Sequence, residues 1–274
     1  MRNVVPALLV FAVLGLSGCA TRPPASDMAA VRAFEEANDR LEPMNRAMFR
    51  LDQGLDASIF RPIAWTYIKV VPEFGRDRLS HVLDNVRSPI TFVNDLLQGE
   101  GSRAFTTLCR LIINTTLGLG GLFEVASDMG LKPHTEDFGQ TLAVWGVGTG
   151  TFLYLPILGP SSIRDGFGLG VDTFAFDPIA WYSYNPHNMK WVQWAQLGSE
   201  LVDAKARTMR NTDELKKSSL DYYAALRSAY RQYRAKEIRN GAPAPAGAMP
   251  VFDDETGDPF APEKPEPSKP QQRK

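Results

Sequence analysis

Apolar residues recur through the middle of the chain with a helical period. Met44, Ala47, Met48, Leu51 and Leu55 fall at three- and four-residue spacings, which places them on one face of a helix. Pro43 suits the first helical position, where no N–H is needed, and Glu42 suits the positive end of the helix dipole. Leu79, Val82, Leu83 and Val86 repeat the pattern. Ser88-Pro89 reads as an N-cap followed by a first-turn proline, and Gly99 as the residue just past the end, so the spacing predicts a separate short helix over 89–97. Ser102 is placed to cap another, running through Phe105, Leu108, Cys109, Ile112 and Ile113. Further on, Tyr222, Leu226, Tyr230 and Tyr233 stripe one face of a helix as a packing face, while Arg227, Arg231 and Arg234 read as its solvated face. No stretch shows several alternating strands joined by hairpin turns, and no internal repeat is found. The fold class predicted is mainly α-helical.

Two tracts depart from this amphipathic pattern. Phe138 to Ile163 contains no charged residue over 26 positions, long enough to span a bilayer. It also contains Gly139, Gly146, Gly148, Gly150, Gly159, Pro156 and Pro160, which disfavour one continuous helix. Broken backbone at membrane depth must be buried in protein or line a wet cavity, which predicts a re-entrant or pore-lining segment. A second uncharged tract, Leu111 to Phe123, has 13 residues and is too short to span, so it is expected at an interface or in a hairpin. Trp181, Tyr182, Tyr184, Trp191 and Trp194 then crowd together, as amphipathic rings do at the headgroup level.

The ends of the chain add an address. Arg2, the apolar run Val4 to Leu16 and the small residues before Cys19 make a secretory signal over 1–18. Leu16-Ser17-Gly18-Cys19 resembles a bacterial lipobox, in which the cysteine takes a diacylglycerol on sulfur and an acyl chain on its new amine. One chain binds a membrane reversibly; three make a lasting anchor. Ala20 rather than Asp follows the cysteine, and the lipobox resemblance therefore implies outer-membrane sorting. Residues 19–30 form the lipidated tether and 31–240 the folded domain. Residues 241–274 hold eight of the 20 prolines and almost no aliphatic side chains, too little apolar surface to fold, and are expected to be disordered.

Composition narrows the chemistry. Thirty basic residues against 31 acidic ones leave a formal charge of -1, with no excess to neutralise nucleic acid. A mean hydropathy of -0.21 argues against a polytopic membrane protein. Two cysteines are too few for a disulfide scaffold, and with Cys19 acylated, Cys109 is expected to be a buried small hydrophobe. Gly146-Val-Gly148-Thr-Gly150 lacks the last glycine of a dinucleotide loop, and no Gly-Lys-Ser/Thr exists. Ser161 and Ser162 are not in a nucleophile elbow, which disfavours a lipase. His134-Thr135-Glu136 lacks the cysteine half of a zinc deaminase motif and reads as a loop histidine beside acids, with no metal expected.

Several ordered motifs carry a resemblance. Leu41-Glu42-Pro43-Met44-Asn45-Arg46, Asn94-Asp95-Leu96-Leu97-Gln98-Gly99, Asn114-Thr115-Thr116-Leu117-Gly118, Asp137-Phe138-Gly139-Gln140-Thr141-Leu142 and Leu155-Pro156 through Arg164-Asp165 resemble the MlaA (VacJ) lipoproteins. Asp39-Arg40 stands where that family often has Asp-Pro, and Met44 where Phe is common. The resemblance implies a ring-like arrangement of amphipathic and re-entrant helices around a lipid channel, in the inner leaflet of the outer membrane on its periplasmic side. It implies that phospholipids misplaced in the outer leaflet are removed and passed to a periplasmic carrier of the MlaC type, with a trimeric porin holding the protein in place. No enzyme activity and no cofactor beyond the acyl chains on Cys19 are expected.

For such a conduit the candidate path is polar but uncharged, so that headgroups are hydrogen-bonded without being trapped. Asn114, Thr115, Gln140, Thr141, Ser161 and Ser162 are the candidates, with Arg164 either attracting phosphate at one mouth or paired with Asp165 or a core acid, and Asn45 and Arg46 at a gate opened by the helix at Pro43. The alternative is a structural lipoprotein that scaffolds porin or envelope assembly and moves no lipid. A phospholipase or acyltransferase is the weakest reading.

Overall fold

A computed structural model describes residues 39–184 and 190–242, together with Pro24 and Ser26. Cys19, the signal, most of the tether and the proline-rich tail beyond Ala242 lie outside the described residues, as does the Tyr184 side chain. By contact, residues 1–40 form one unit and residues 41–274 another, and the elements of the described residues all belong to the second.

Helix α1, Glu42–Leu55, starts at the expected place, with a proline in its first turn and an acid at its positive end. It runs into a π turn, Asp56–Phe60, and then α2, Arg61–Val70. Pro62 lacks an N–H and crowds the preceding turn, and the wider π turn absorbs it: the Arg61 N–H donates five residues back to the Asp56 carbonyl. Val71 is extended ahead of Pro72, which ends α2.

Helix α3, Glu73–Leu97, corrects the expectation of two helices: it passes through Pro89 without a break. Buried residues on both sides of Pro89, from Ser80 and Asn85 to Ile90, Asn94 and Asp95, and packing along α4 outweigh the roughly 3 kcal/mol that an interior proline costs. Gly99 ends it with φ +79. Helix α4, Gly101–Thr116, begins ahead of Ser102, with Glu100 at the N-cap and no side-chain cap bond, so the capping role expected of Ser102 is not taken. Cys109 on α4 is half-buried rather than core.

After the short α5, Val125–Asp128, Asp137 caps α6, Phe138–Val144, by accepting the Gln140 N–H at 2.9 Å. Strands β1, Phe152–Leu155, and β2, Gly159–Ser162, form an antiparallel hairpin pairing Phe152 with Ser162 and Leu155 with Gly159. Helix α7, Ile163–Val171, is capped by Ser162 and flows into a second π turn, Asp172–Phe176, followed by α8, Pro178–Tyr184. Helices α9, Lys190–Ser218, and α10, Tyr222–Ile238, complete the domain. The fold is mainly α-helical, with this one hairpin among the described residues.

The uncharged tract Phe138–Ile163 is therefore a short helix, a glycine loop and a hairpin. Gly146, Gly150 and Gly159 adopt φ between +72 and +89. No helix among the described residues is long and apolar enough to cross a membrane.

The structure also corrects the absence of a repeat. Gly54, Asp56, Phe60, Pro62, Ile63, Ala64 and Trp65 recur at one constant offset as Gly170, Asp172, Phe176, Pro178, Ile179, Ala180 and Trp181. Both copies fold as helix, π turn, proline and helix. The match is too short, and too diluted by differing residues, to stand out from sequence alone.

Candidate functional site

Much of the interior is polar, and many large apolar side chains lie on the surface. The largest fully buried side chains are Asn45, Asn94, Thr141, Asp95, Ser80, Ser162 and Ser183, while half of the buried apolar residues are alanines. The stripe that predicted α1 is split: Met44 and Leu51 face outward, 45% and 52% exposed, while Ala47, Met48 and Leu55 are half-buried and Met48 packs on an apolar cluster. Leu117, Leu119, Val144, Trp145, Val147, Ile157, Leu158 and Ile163, all from the two uncharged tracts, are exposed as well. Among the described residues an apolar cluster joins Phe152 and Tyr154 of the hairpin to Tyr223, Leu226 and Tyr230 of α10, with Tyr222 against it, so Tyr222, Leu226 and Tyr230 of the stripe do pack.

Because buried polar groups without partners are costly, the interior is organised as bonded junctions. At the first, between α3, α6 and the second π turn, the Thr141 hydroxyl donates to Asn94 Oδ1 at 2.7 Å, and Asn94 Nδ2 donates to Asp172 Oδ1 at 3.0 Å. The Phe138 N–H donates to Asp172 Oδ2 at 2.9 Å. Burial pushes the Asp172 carboxyl up to about 6 in spite of these donors, since no cation pairs with it among the described residues. Close by, the carboxylate of Glu136 accepts from Gln98 and Arg103, and burial still raises its pKa. His134 sits 3.0 Å from Asp95, beside acids as expected, and no group of three or more metal-ligating side chains occurs among the described residues.

At the second junction, Arg234 of α10 reaches Asp137 at 2.6 Å and Asp165 at 3.1 Å. This overturns its reading as part of a solvated face. The Tyr230 hydroxyl and Arg164 also bond to Asp165, the latter at 2.9 Å. Burial opposes ionisation of Asp137 and Asp165, but the Arg234 guanidinium outweighs it and holds both carboxyls below their ordinary range. Backbones meet here too: a Cβ on Gly168 of α7 would lie 2.3 Å from the Gly139 nitrogen of α6. At the third junction Arg110 grips Glu124 at 2.8 Å, and Asn114 bridges Glu124 to the Ala126 N–H.

A family model for the MlaA lipoprotein matches residues 37–237. The chain belongs to the MlaA lipoprotein family. A Haemophilus influenzae protein named intermembrane phospholipid transport system lipoprotein MlaA is 31% identical over 247 residues, covering 88% of this chain and 92% of that protein. The Escherichia coli K12 protein of the same name is 33% identical over 210 residues, 74% of this chain and 79% of its own. An uncharacterised Rickettsia prowazekii protein is 35% identical over 204 residues, with 74% and 79% covered. A solved structure from work on the maintenance of bacterial outer membrane lipid asymmetry superposes with a TM-score of 0.64 at 31% identity, covering 73% of this chain and 99% of that one.

Within this MlaA fold the polar residues named from sequence fall into separate places. Asn45, Asn114, Gln140, Thr141, Ser162 and Arg164 are buried. Asn45 binds β1 from both sides, donating to the Phe152 carbonyl and accepting the Tyr154 N–H, each at 3.0 Å. Arg46 bonds to Glu42 at 2.7 Å and to Asp221 at 2.5 Å, under the Tyr223 ring. Gln140 and Thr141 share the turn of α6 capped by Asp137. Ser162 and Arg164 join them through Asp165 and Arg234. Thr115 is exposed at the end of α4, where it accepts from Asn85 Nδ2, and Ser161 is half-buried on β2. The Gln140 Oε1 is buried with no hydrogen-bond partner among the described residues. Sequence reasoning passes over Asp172, and it names Glu136 and Arg234 without their buried partners. A lone acid in an apolar stretch, or an arginine in a basic row, carries no local mark of a distant buried partner.

Proposed function

We propose that this chain is an outer-membrane lipoprotein, anchored through acyl chains on Cys19, that takes mislocalised phospholipids out of the outer leaflet and passes them to a periplasmic carrier of the MlaC type. A trimeric outer-membrane porin holds it in the bilayer, and its helices surround the lipid path. The reading is supported by the family, by relatives named for intermembrane phospholipid transport, and above all by one structural observation. Many large apolar side chains are on the outside and, apart from the cluster of Phe152, Tyr154, Tyr223, Leu226 and Tyr230, the buried side chains are mostly polar or alanine, an arrangement suited to a protein bathed in acyl chains rather than water.

Charged groups in the interior are held by ion pairs or, for Asp172, by hydrogen bonds from Asn94 and the Phe138 N–H, so they stiffen the walls rather than hold a headgroup. We assign the wet contacts along the path to Thr115 and Ser161, and wall-building roles to Asn45, Asn114, Gln140, Thr141, Ser162 and Arg164. Arg46, latched to Asp221, closes the first helix against the last. Transfer needs no covalent step; apolar and headgroup surfaces offered side by side lower the barrier to moving a lipid.

The test is transfer of a labelled phospholipid from vesicles bearing the acylated protein to soluble carrier, without nucleotide. Transfer should rise many-fold over protein-free vesicles, with no free fatty acid or lysolipid released. Carrier that stays unlabelled in the presence of folded, membrane-bound protein would contradict the reading.

A further inference from the structure

The two copies of the repeat match in burial as well as in sequence. Asp56 and Asp172 are both buried, Ala64 and Ala180 are both 0% exposed, and Trp65 and Trp181 stand out at 56% and 66%. In each copy the second helix, α2 or α8, packs on α9. A fully buried alanine in each is what close helix approach requires.

What each copy turns outward is uncharged. The first exposes Ile59, Ile63 and Trp65, and the second Phe174, Trp181 and Tyr182. Charges within the copies are drawn inward or aside: Asp56 lies 2.5 Å from Lys205, Arg61 is held by Asp213 at 2.7 Å, and Asp177 is buried and caps α8 through the Ile179 N–H. Lys69 reaches over the Trp65 ring at 5.7 Å, as a lysine does when its ammonium seeks phosphates above an indole seated below them. With ten residues in α2 and seven in α8, neither helix approaches the roughly 20 that a span requires, so each can enter one leaflet only.

We infer that the two copies are a matched pair of interfacial hooks that seat Trp65 and Trp181 at the same depth in one phospholipid leaflet. Two equivalent hooks, both braced on α9, fix the tilt of the protein in the membrane, which acyl chains attached at the single position Cys19 do not. The π turn has a part in this: it re-aims the helix beyond the proline so that alanine meets α9 while tryptophan faces lipid. The inference rests on the membrane reading above but concerns depth and orientation, not transport.

The test is 19F NMR of the acylated chain carrying 5-fluorotryptophan, in phosphatidylethanolamine–phosphatidylglycerol vesicles doped with lipids spin-labelled at set depths. Each resonance is assigned by single Trp→Phe substitutions. Trp65 and Trp181 should be broadened most by the same shallow label and to the same extent, about 5–10 Å below the phosphates. Depths differing by more than about 5 Å, or either indole broadened instead by a soluble paramagnet, would overturn the inference. As a second readout, Trp65→Phe and Trp181→Phe in a Cys19→Ala background should each weaken vesicle binding by a similar several-fold factor; a loss from one variant alone would count against it. If both indoles lie at matched depth while carrier transfer fails, the hooks stand and the transport reading falls. Transfer with an unmatched pair gives the reverse.

Discussion

Asn45 does for β1 what a neighbouring strand would do, supplying one donor and one acceptor to consecutive sites on the hairpin backbone. Asn45→Ala would leave the Phe152 carbonyl and the Tyr154 N–H buried without partners, and should cost about 2–4 kcal/mol of stability, read as a lower unfolding midpoint in detergent. Asp172 makes a prediction of opposite character. Its folded pKa, about 6, lies above the unfolded value of 3.8, so the folded state binds the extra proton between those values. Stability from this group is full below about pH 4, falls as pH rises to about 6 and stays low above, a loss of about 3 kcal/mol. Thermal midpoints of wild type relative to Asp172→Asn should therefore drop between pH 4 and 6 and then level off; a flat difference would contradict this placement of the carboxyl. The carboxyls of Asp137 and Asp165, held low by Arg234, act the other way and lose their contribution only in stronger acid. At this scale sequence marked Asn45 but not its partners, which lie 107 and 109 residues away. It marked Arg234 but misread its side of the helix, because an arginine in a basic row looks the same whether it meets water or a buried pair of carboxylates.

Among the elements, α3 and the α6–α7 contact show where local signals give way to packing. Pro89 sits inside α3 at a cost that packing offsets, so Pro89→Ala should raise the unfolding midpoint, by up to about 3 kcal/mol in stability, without altering helix content by circular dichroism. Gly168 is needed for a different reason: a methyl there strikes the Gly139 backbone. Gly168→Ala should part α6 from α7 and cost about 1–3 kcal/mol, checked by the same unfolding measurement. The helix start at Pro43 was legible from short-range chemistry. A serine before a proline suggested a boundary at 88–89 because local rules cannot see α4 lying alongside. The hairpin was hidden for a similar reason, since Gly159-Pro160-Ser161-Ser162 has no strand pattern of its own and is held by pairing with β1.

At the scale of the molecule, periodicity reported that apolar stripes exist but not which way they face. For a protein in water a stripe points to the core; here Met44 and Leu51 point out, and asparagines, serines and carboxylates fill the inside. The uncharged tracts and the crowded tryptophans were the legible signs of this reversal, and the exposure of Trp181, Trp191 and Trp194 agrees with a headgroup-level placement. Anchoring makes its own prediction. Cys19→Ala protein should lack acyl chains by mass spectrometry and lose its enrichment in outer-membrane fractions; undiminished enrichment would mean that embedding or partner contact, rather than acylation, holds it there.

The central claim is that the chain moves phospholipid, and it is tested most directly by the outer-leaflet phospholipid content of intact cells with and without the protein. The account predicts that deletion raises outer-leaflet phospholipid and that the wild-type chain, supplied in trans, restores the low level. Unchanged leaflet composition in the deletion strain would contradict it.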